Sequence, residues 1–249
     1  MSRRIGVFAI TTVALWLLAH AVAFLTHEFA HSFLATALGW KGNPLDLDWG
    51  HATPMNILLL QDVDENVDYA PVFAGGHAVH AGLIALAGVA FGNLVASLGV
   101  GLALLAAARK RAAPLLGYFA YWLIVMSVGN LISYVPLRTF ASHADMHTVA
   151  LGFGWTPMEI LLLVGMPFFA VVAWFFIRCQ PCALAWLFPD STPRRNGVVV
   201  LTSLTVFGFF CMGGLTGYGE TSRQLCEAFM FVLGPLSLVS GLLLTRRAG

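Results

Sequence analysis

Six stretches of roughly 20 or more mostly apolar residues divide this chain, and each is long enough to cross the ~30 Å hydrocarbon core of a bilayer as a helix. In hydrocarbon every backbone N–H and C=O must be satisfied within the protein, which leaves helices as the natural form for such runs. They are Ile5 to Thr26, with the helix expected to continue to Leu38, then Val72 to Ala108, Leu115 to Val135, Pro157 to Ile177, Gly197 to Gly217 and Leu225 to Leu244. Charged residues make up only 10% of the chain, against about 25% in a soluble domain. The fold class that follows is an all-α polytopic membrane protein with about six transmembrane helices, organised as a single membrane domain over 1–249.

Charge placement gives an expected orientation. Arg3 and Arg4, Arg109 to Arg111, Arg178 with Arg194 and Arg195, and Arg246 with Arg247 supply ten of the thirteen basic residues and fall in alternate connections. The positive-inside rule makes those connections cytoplasmic, with both termini inside. The other connections and adjoining helix ends hold eleven of the twelve carboxylates, including Asp62, Asp64, Glu65 and Asp68. The expected location is a bacterial cytoplasmic membrane, and no basic patch points to nucleic acid. The N-terminal arginines, the apolar run and Ala19-His20-Ala21 also resemble a secretory signal. Cleavage there would remove most of the first span, so the uncut helix is the preferred reading.

Between the first two spans, Gly39 to Pro71 forms the longest polar excursion, on the expected outer side. Leu45-Asp46-Leu47-Asp48-Trp49 alternates as a half-buried strand would, and Ile57 to Leu60 is a short apolar run, so a small hairpin or re-entrant element is expected. The second apolar run is too long for a simple crossing, since ~37 helical residues measure ~55 Å. Gly75-Gly76 marks its start or a break, and Gly88, Gly92 and Ser97 offer small faces for close helix packing. Thr156-Pro157-Met158-Glu159 carries the chemistry of a capped helix start. Ser142-His143-Ala144-Asp145 has similar spacing and predicts a short helix with Asp145 in its first turn. Cys179 and Cys182 read as paired thiols at a helix end, and Cys211 and Cys226 as residues whose pairing the sequence leaves open.

The chemistry concentrates in His27-Glu28-Phe29-Ala30-His31, an HExxH motif at the end of the first span. On a helix it presents two imidazoles one turn apart with a carboxylate beside them, the pattern of a zinc site with its own general base. A polar group in the membrane must face the bundle interior. His27 lies ~33 Å along the helix from Ile5, near the outer boundary, and His77, His80, His143, Asp145 and His147 begin or follow spans on that same side. Zinc hydrolysis needs three protein ligands and an open position for water. Asp145 is the best third ligand, with His143 and His147 in competition, and a regular helix would point Asp145 away from that histidine pair. His77 and His80 read equally as auxiliary site residues or as a histidine pair at a helix entrance. His51 reads as a loop histidine and His20 as a packed helix-face residue. Asn130 could bind a substrate backbone, stabilise an oxyanion or simply join helices.

HExxH on one membrane helix, followed by Asn130-Leu131-Ile132-Ser133-Tyr134-Val135-Pro136 and then Asp145, resembles the site-2 protease family of intramembrane zinc metalloproteases. The resemblance covers about residues 20 to 150, so the metal-site core falls in about 5–150 and the helices over about 156–249 are peripheral. It implies Zn2+ held by His27, His31 and Asp145, with Glu28 as base and the outer excursion presenting an extended substrate strand. The implied partner is a membrane-protein or peptide substrate met within the lipid bilayer. The chain differs from the family in having Met146 where a glycine usually follows the aspartate, and in a longer Asn-to-Asp interval. Two other classes use the same residues: a di-iron hydroxylase or desaturase built on three histidine pairs, and a metal transporter or metal-binding membrane sensor.

Overall fold

The first apolar run forms one unbroken helix, α1 (Ser2–Ala37), which carries the HExxH motif in its last third. The computed structural model describes residues 2–247; the side chains of residues 2–4 and 247, and with them the charges of Arg3, Arg4 and Arg247, lie outside the described residues. After α1 come two short helices, α2 (Pro54–Leu59) and α3 (Ala70–Ala74). The long helices α4 (Ala78–Lys110) and α5 (Pro114–Tyr134) follow, then the short α6 (Asp145–Phe153). Three more long helices complete the chain: α7 (Pro157–Leu187), α8 (Thr192–Met212) and α9 (Glu220–Arg246). Among the described residues six helices are thus long and apolar enough to cross a membrane, and this is an integral, all-α membrane protein.

α5 is the central helix. Its most apolar window is 83% buried, against 22% for that of α1. Tyr121, Trp122, Ile124, Val125 and Met126 are fully enclosed by neighbouring helices. Because hydrocarbon offers no hydrogen bonds, most polar atoms on these faces find partners across helices, Trp122 Nε1 being an exception. Tyr118 Oη lies 2.9 Å from Thr12 Oγ1, Tyr121 Oη 2.6 Å from Thr202 Oγ1, and Trp16 Nε1 donates to Thr205 Oγ1 at 2.9 Å.

Close packing of α4 carries α1 and α6. The stretch Gly88–Gly99 of α4 winds as a π-helix against α1. A Cβ added at Gly92 would meet the Thr26 carbonyl oxygen at 2.5 Å and His27 Cα at 2.7 Å, so the two backbones are in contact there. Where α6 crosses α4, a Cβ on Gly152 would lie 2.5 Å from Gly82 Cα. The expected break at Gly75-Gly76 separates α3 from α4, with Gly76 at φ +77°.

The excursion is a closed loop rather than a strand hairpin. Among the described residues its only ladder contact is an isolated antiparallel bridge between Asp48 and Asp64. The alternating run cannot extend that pairing because the Asp48 and Asp64 carboxylates turn back on the chain, accepting from Gly50 N at 2.9 Å and Asn66 N at 2.7 Å. Asn56 closes the loop by donating to the carbonyls of Trp49 and His51 and accepting from Asp62 N.

The later spans also run beyond their apolar cores. Thr156 and Glu159 form the expected capping box at the start of α7. That helix continues to Leu187, so Cys179 and Cys182 lie within it rather than at its end. A π-helical stretch, Phe175–Cys179, precedes Pro181, which has no N–H to donate. Cys211 and Cys226 are buried free thiols. Ser142 does not cap α6: the helix starts at Asp145, and the Ala144 carbonyl takes the N–H groups of His147 and Thr148. The Asp145 carboxylate is therefore not used as a cap.

Replacing Gly152 by leucine should drive α6 off α4, lowering stability by about 1–3 kcal/mol or more. A drop in the detergent-solubilised melting temperature, with the Gly197→Leu variant on α8 as an open-space comparison, checks this.

Candidate metal centre

His27 and His31 stand one turn apart on α1 and project toward Gly88 of α4. A Cβ at Gly88 would collide with His31 Nε2 and the His27 ring, so the absent side chain makes the room in which the imidazoles converge. Their Nε2 atoms are 3.0 Å apart. Asp145, brought over by α6, places Oδ2 3.2 Å from His27 Nε2 and 3.5 Å from His31 Nε2. The three residues form a group able to hold a metal ion, with ligand atoms all within 4.8 Å of one another.

Donor chemistry supports that fit at His31. His31 Nδ1 lies 2.6 Å from the Ile84 carbonyl oxygen, which can only accept, so Nδ1 carries the ring proton and Nε2 offers its lone pair to the group. On the other imidazole, Nδ1 of His27 lies 2.9 Å from Asn93 Nδ2, and Tyr134 stacks on its ring at 4.3 Å. Asn93 is held in turn by Asn130, whose Nδ2 donates to Asn93 Oδ1 at 3.2 Å, and by Ser127 Oγ, which donates to the Asn93 carbonyl oxygen. Burial, helped by the neighbouring Glu65, pushes the Tyr69 phenol up, and its Oη donates to Glu65 Oε1 at 2.9 Å.

Beside the group lies a cavity of about 590 Å³ lined by His27, Glu28, Asn130, Tyr134 and Asp145. Glu28 is 5% exposed and opens on this space with His27. The excursion supplies a wall through Leu59, Val63, Asp64 and Glu65. Another wall comes from the helices expected to be peripheral, through Phe209, Phe210, Gly213 and Tyr218. Arg138 completes it, its guanidinium 4.7 Å from the rings of both Tyr134 and Tyr218.

The remaining polar residues divide cleanly. Asp145 joins the imidazoles, and neither His143 nor His147 does: His143 is exposed and stacks on Tyr218 at 4.8 Å, and His147 is half-buried elsewhere on α6. His77 and His80 stack on each other at 5.2 Å beside Trp40, whose Nε1 donates to His80 Nδ1 at 3.0 Å. They lie outside the three-residue group. Asn130 faces the cavity while bonding to Asn93. His51 is exposed, and His20 is a packed residue whose Nε2 contacts the Leu59 carbonyl at 2.9 Å. Sequence reasoning missed Asn93, Tyr134 and Arg138. Only Asn93 carried a signal, as a lone amide inside an apolar run that must find a partner.

Comparison with family models, curated proteins and solved structures gives no match.

Asp145→Ala should abolish stoichiometric zinc binding by the purified protein, whereas His143→Ala, His147→Ala and His77→Ala should retain it. Gly88→Ala should weaken zinc binding by about 10–100-fold, comparable to losing a hydrogen-bond partner of a ligand. Metal analysis and competition with a zinc-binding dye read both.

Proposed function

We propose that this protein is a membrane-embedded zinc hydrolase, acting as an intramembrane metalloprotease of the site-2 type. The observation that carries the reading is Glu28 opening on the same cavity as His27 and Asp145, two members of the group that His31 completes. Three protein donors leave a coordination position for water, the hallmark of catalytic rather than structural zinc. Bound there, zinc would act as a Lewis acid and lower the pKa of a coordinated water. Chemistry then falls to Glu28, which takes a proton from the attacking water as its oxygen bonds to the scissile carbonyl carbon. Glu28 returns that proton to the departing amide nitrogen as the C–N bond breaks, so water is consumed and a carboxyl and an amine are produced.

The cavity suits a peptide in extended form. The excursion forms one wall and could align such a strand, and unwinding is needed before an amide in a membrane helix can be attacked. The distribution of basic residues favours placing this end of the bundle on the outer side, with both termini in the cytoplasm. A di-iron oxidase is less favoured, because the His77/His80 and His143/His147 pairs stand apart from the metal group.

Glu28→Gln should keep about one zinc per chain and lower cleavage of a fluorophore-labelled transmembrane reporter by roughly 10²–10⁴-fold, the range for loss of a general base. Two irons per chain in the wild type, or full activity in the variant, would overturn the proposal.

A further inference from the structure

Three basic residues fall outside the arginine-rich connections: Lys41, Arg138 and Arg223. Lys41 donates to the carbonyls of Asp46 and Glu65, and Arg223 pairs with Glu220 and Glu227. Arg138 takes part in no ion pair among the described residues, and its Nε is buried without a hydrogen-bond partner. Its guanidinium lies instead over the rings of Tyr134 and Tyr218, 4.7 Å from each, on the wall of the cavity that Glu28 and Asp145 also line. Ring faces offset part of the cost of drawing the charge out of water, but they leave the in-plane N–H donors without acceptors.

The acids of that cavity do not supply the missing partner. Asp64 accepts from Asn66 N at 2.7 Å, Glu65 accepts from Tyr69 Oη at 2.9 Å, and Asp145 Oδ2 stands 3.2 Å from His27 Nε2. Among the lining residues Arg138 alone is a lysine or arginine. The cavity thus has an acidic wall on the excursion and a cation on the wall formed with Tyr218. An anion entering is repelled by the first and drawn to the second, where the planar fork matches the two oxygens of a carboxylate. Two ring contacts hold the fork in place beforehand, which lowers the ordering cost of binding.

We infer that Arg138 is a specificity-determining residue that receives a substrate carboxylate, selecting peptides with an acidic side chain or a free C-terminus close to the cut. The inference rests on the proteolytic reading above and names the substrate feature that the cavity recognises. Tyr134 sets the spacing, because the ring that carries the guanidinium also stacks on His27 at 4.3 Å. An extended chain rises ~3.3 Å per residue, so the carboxylate belongs within about three residues of the scissile amide.

The test measures binding and cleavage separately. Full-length Glu28→Gln protein in detergent, its zinc content checked, is titrated with fluorescent transmembrane reporters carrying Glu, Gln or Lys at successive single positions. A second set ends at those positions in a free or an amidated C-terminus. At one or more positions Glu should bind about 10–100-fold tighter than Gln, or the free terminus tighter than the amide by the same factor, and the set that responds identifies the source of the carboxylate. Raised salt should shrink the preference. Arg138→Gln should bring the ratio to about 1, and Arg138→Glu should favour Lys, an inversion that loss of the tyrosine contacts alone does not produce. Arg138→Lys keeps a charge and should keep a reduced preference, which decides the matter if the other variants fail to fold. Equal binding of all reporters with Arg138 intact, or a preference that survives in Arg138→Gln, overturns the inference. Affinity that ignores Glu but falls on adding phosphatidylglycerol places a lipid phosphate at Arg138 and overturns it too. A wild type that cleaves none of the reporters removes the proteolytic reading, while the binding ratios still judge Arg138.

Discussion

The contact between α1 and α4 is the constraint on which the site depends. Two membrane helices normally stand 8–10 Å apart, with side chains filling the space between them. Here Gly88 and Gly92 remove those side chains along one face, and the Gly92 position touches the α1 backbone. That proximity lets His31 reach the Ile84 carbonyl and His27 reach Asn93. It also creates the pocket in which the imidazoles meet Asp145. Association inside a bilayer gains little from hydrophobic burial, so packing and interhelical hydrogen bonds must hold such a contact. Both are present in the same few residues.

Polar groups in this protein are placed by exclusion as much as by attraction. An imidazole, amide or carboxylate facing lipid would lose its hydrogen bonds, so each is driven toward another helix. Asn93 illustrates the result: its side chain serves α1 and α5, while its carbonyl accepts a further bond from α5. The metal group is one end of a buried polar path that continues through two amides into the central helix. The opening beside it supplies room for a larger molecule.

Much of this was legible in the amino-acid order because hydrocarbon imposes simple rules. Run length identified the spans, and capping chemistry identified the start of α7. HExxH placed two donors on one helical face, and Asp145 does approach them, whereas His77, His80, His143 and His147 stay outside the group. The choice of Asp145 over its neighbouring histidines was harder, because it depends on where α6 begins. Ser142 looked like the cap, yet the helix starts at Asp145, and that shift decides which side chain faces α1. The excursion misled for a related reason, since Asp48 and Asp64 satisfy local backbone donors that a strand would need elsewhere. The cavity wall from α8 and its following loop depended on tertiary packing alone.

The Arg138 stack joins parts of the chain made at different times. Tyr134 ends the third long helix and Arg138 follows it closely, whereas Tyr218 lies some 80 residues later in the sequence. His27, His31 and Asp145 all precede that second ring in the chain. The wall beside their group is therefore supplied by a part of the chain that contributes no member to it, so a change near Tyr218 can alter the enclosure while leaving the three residues themselves untouched.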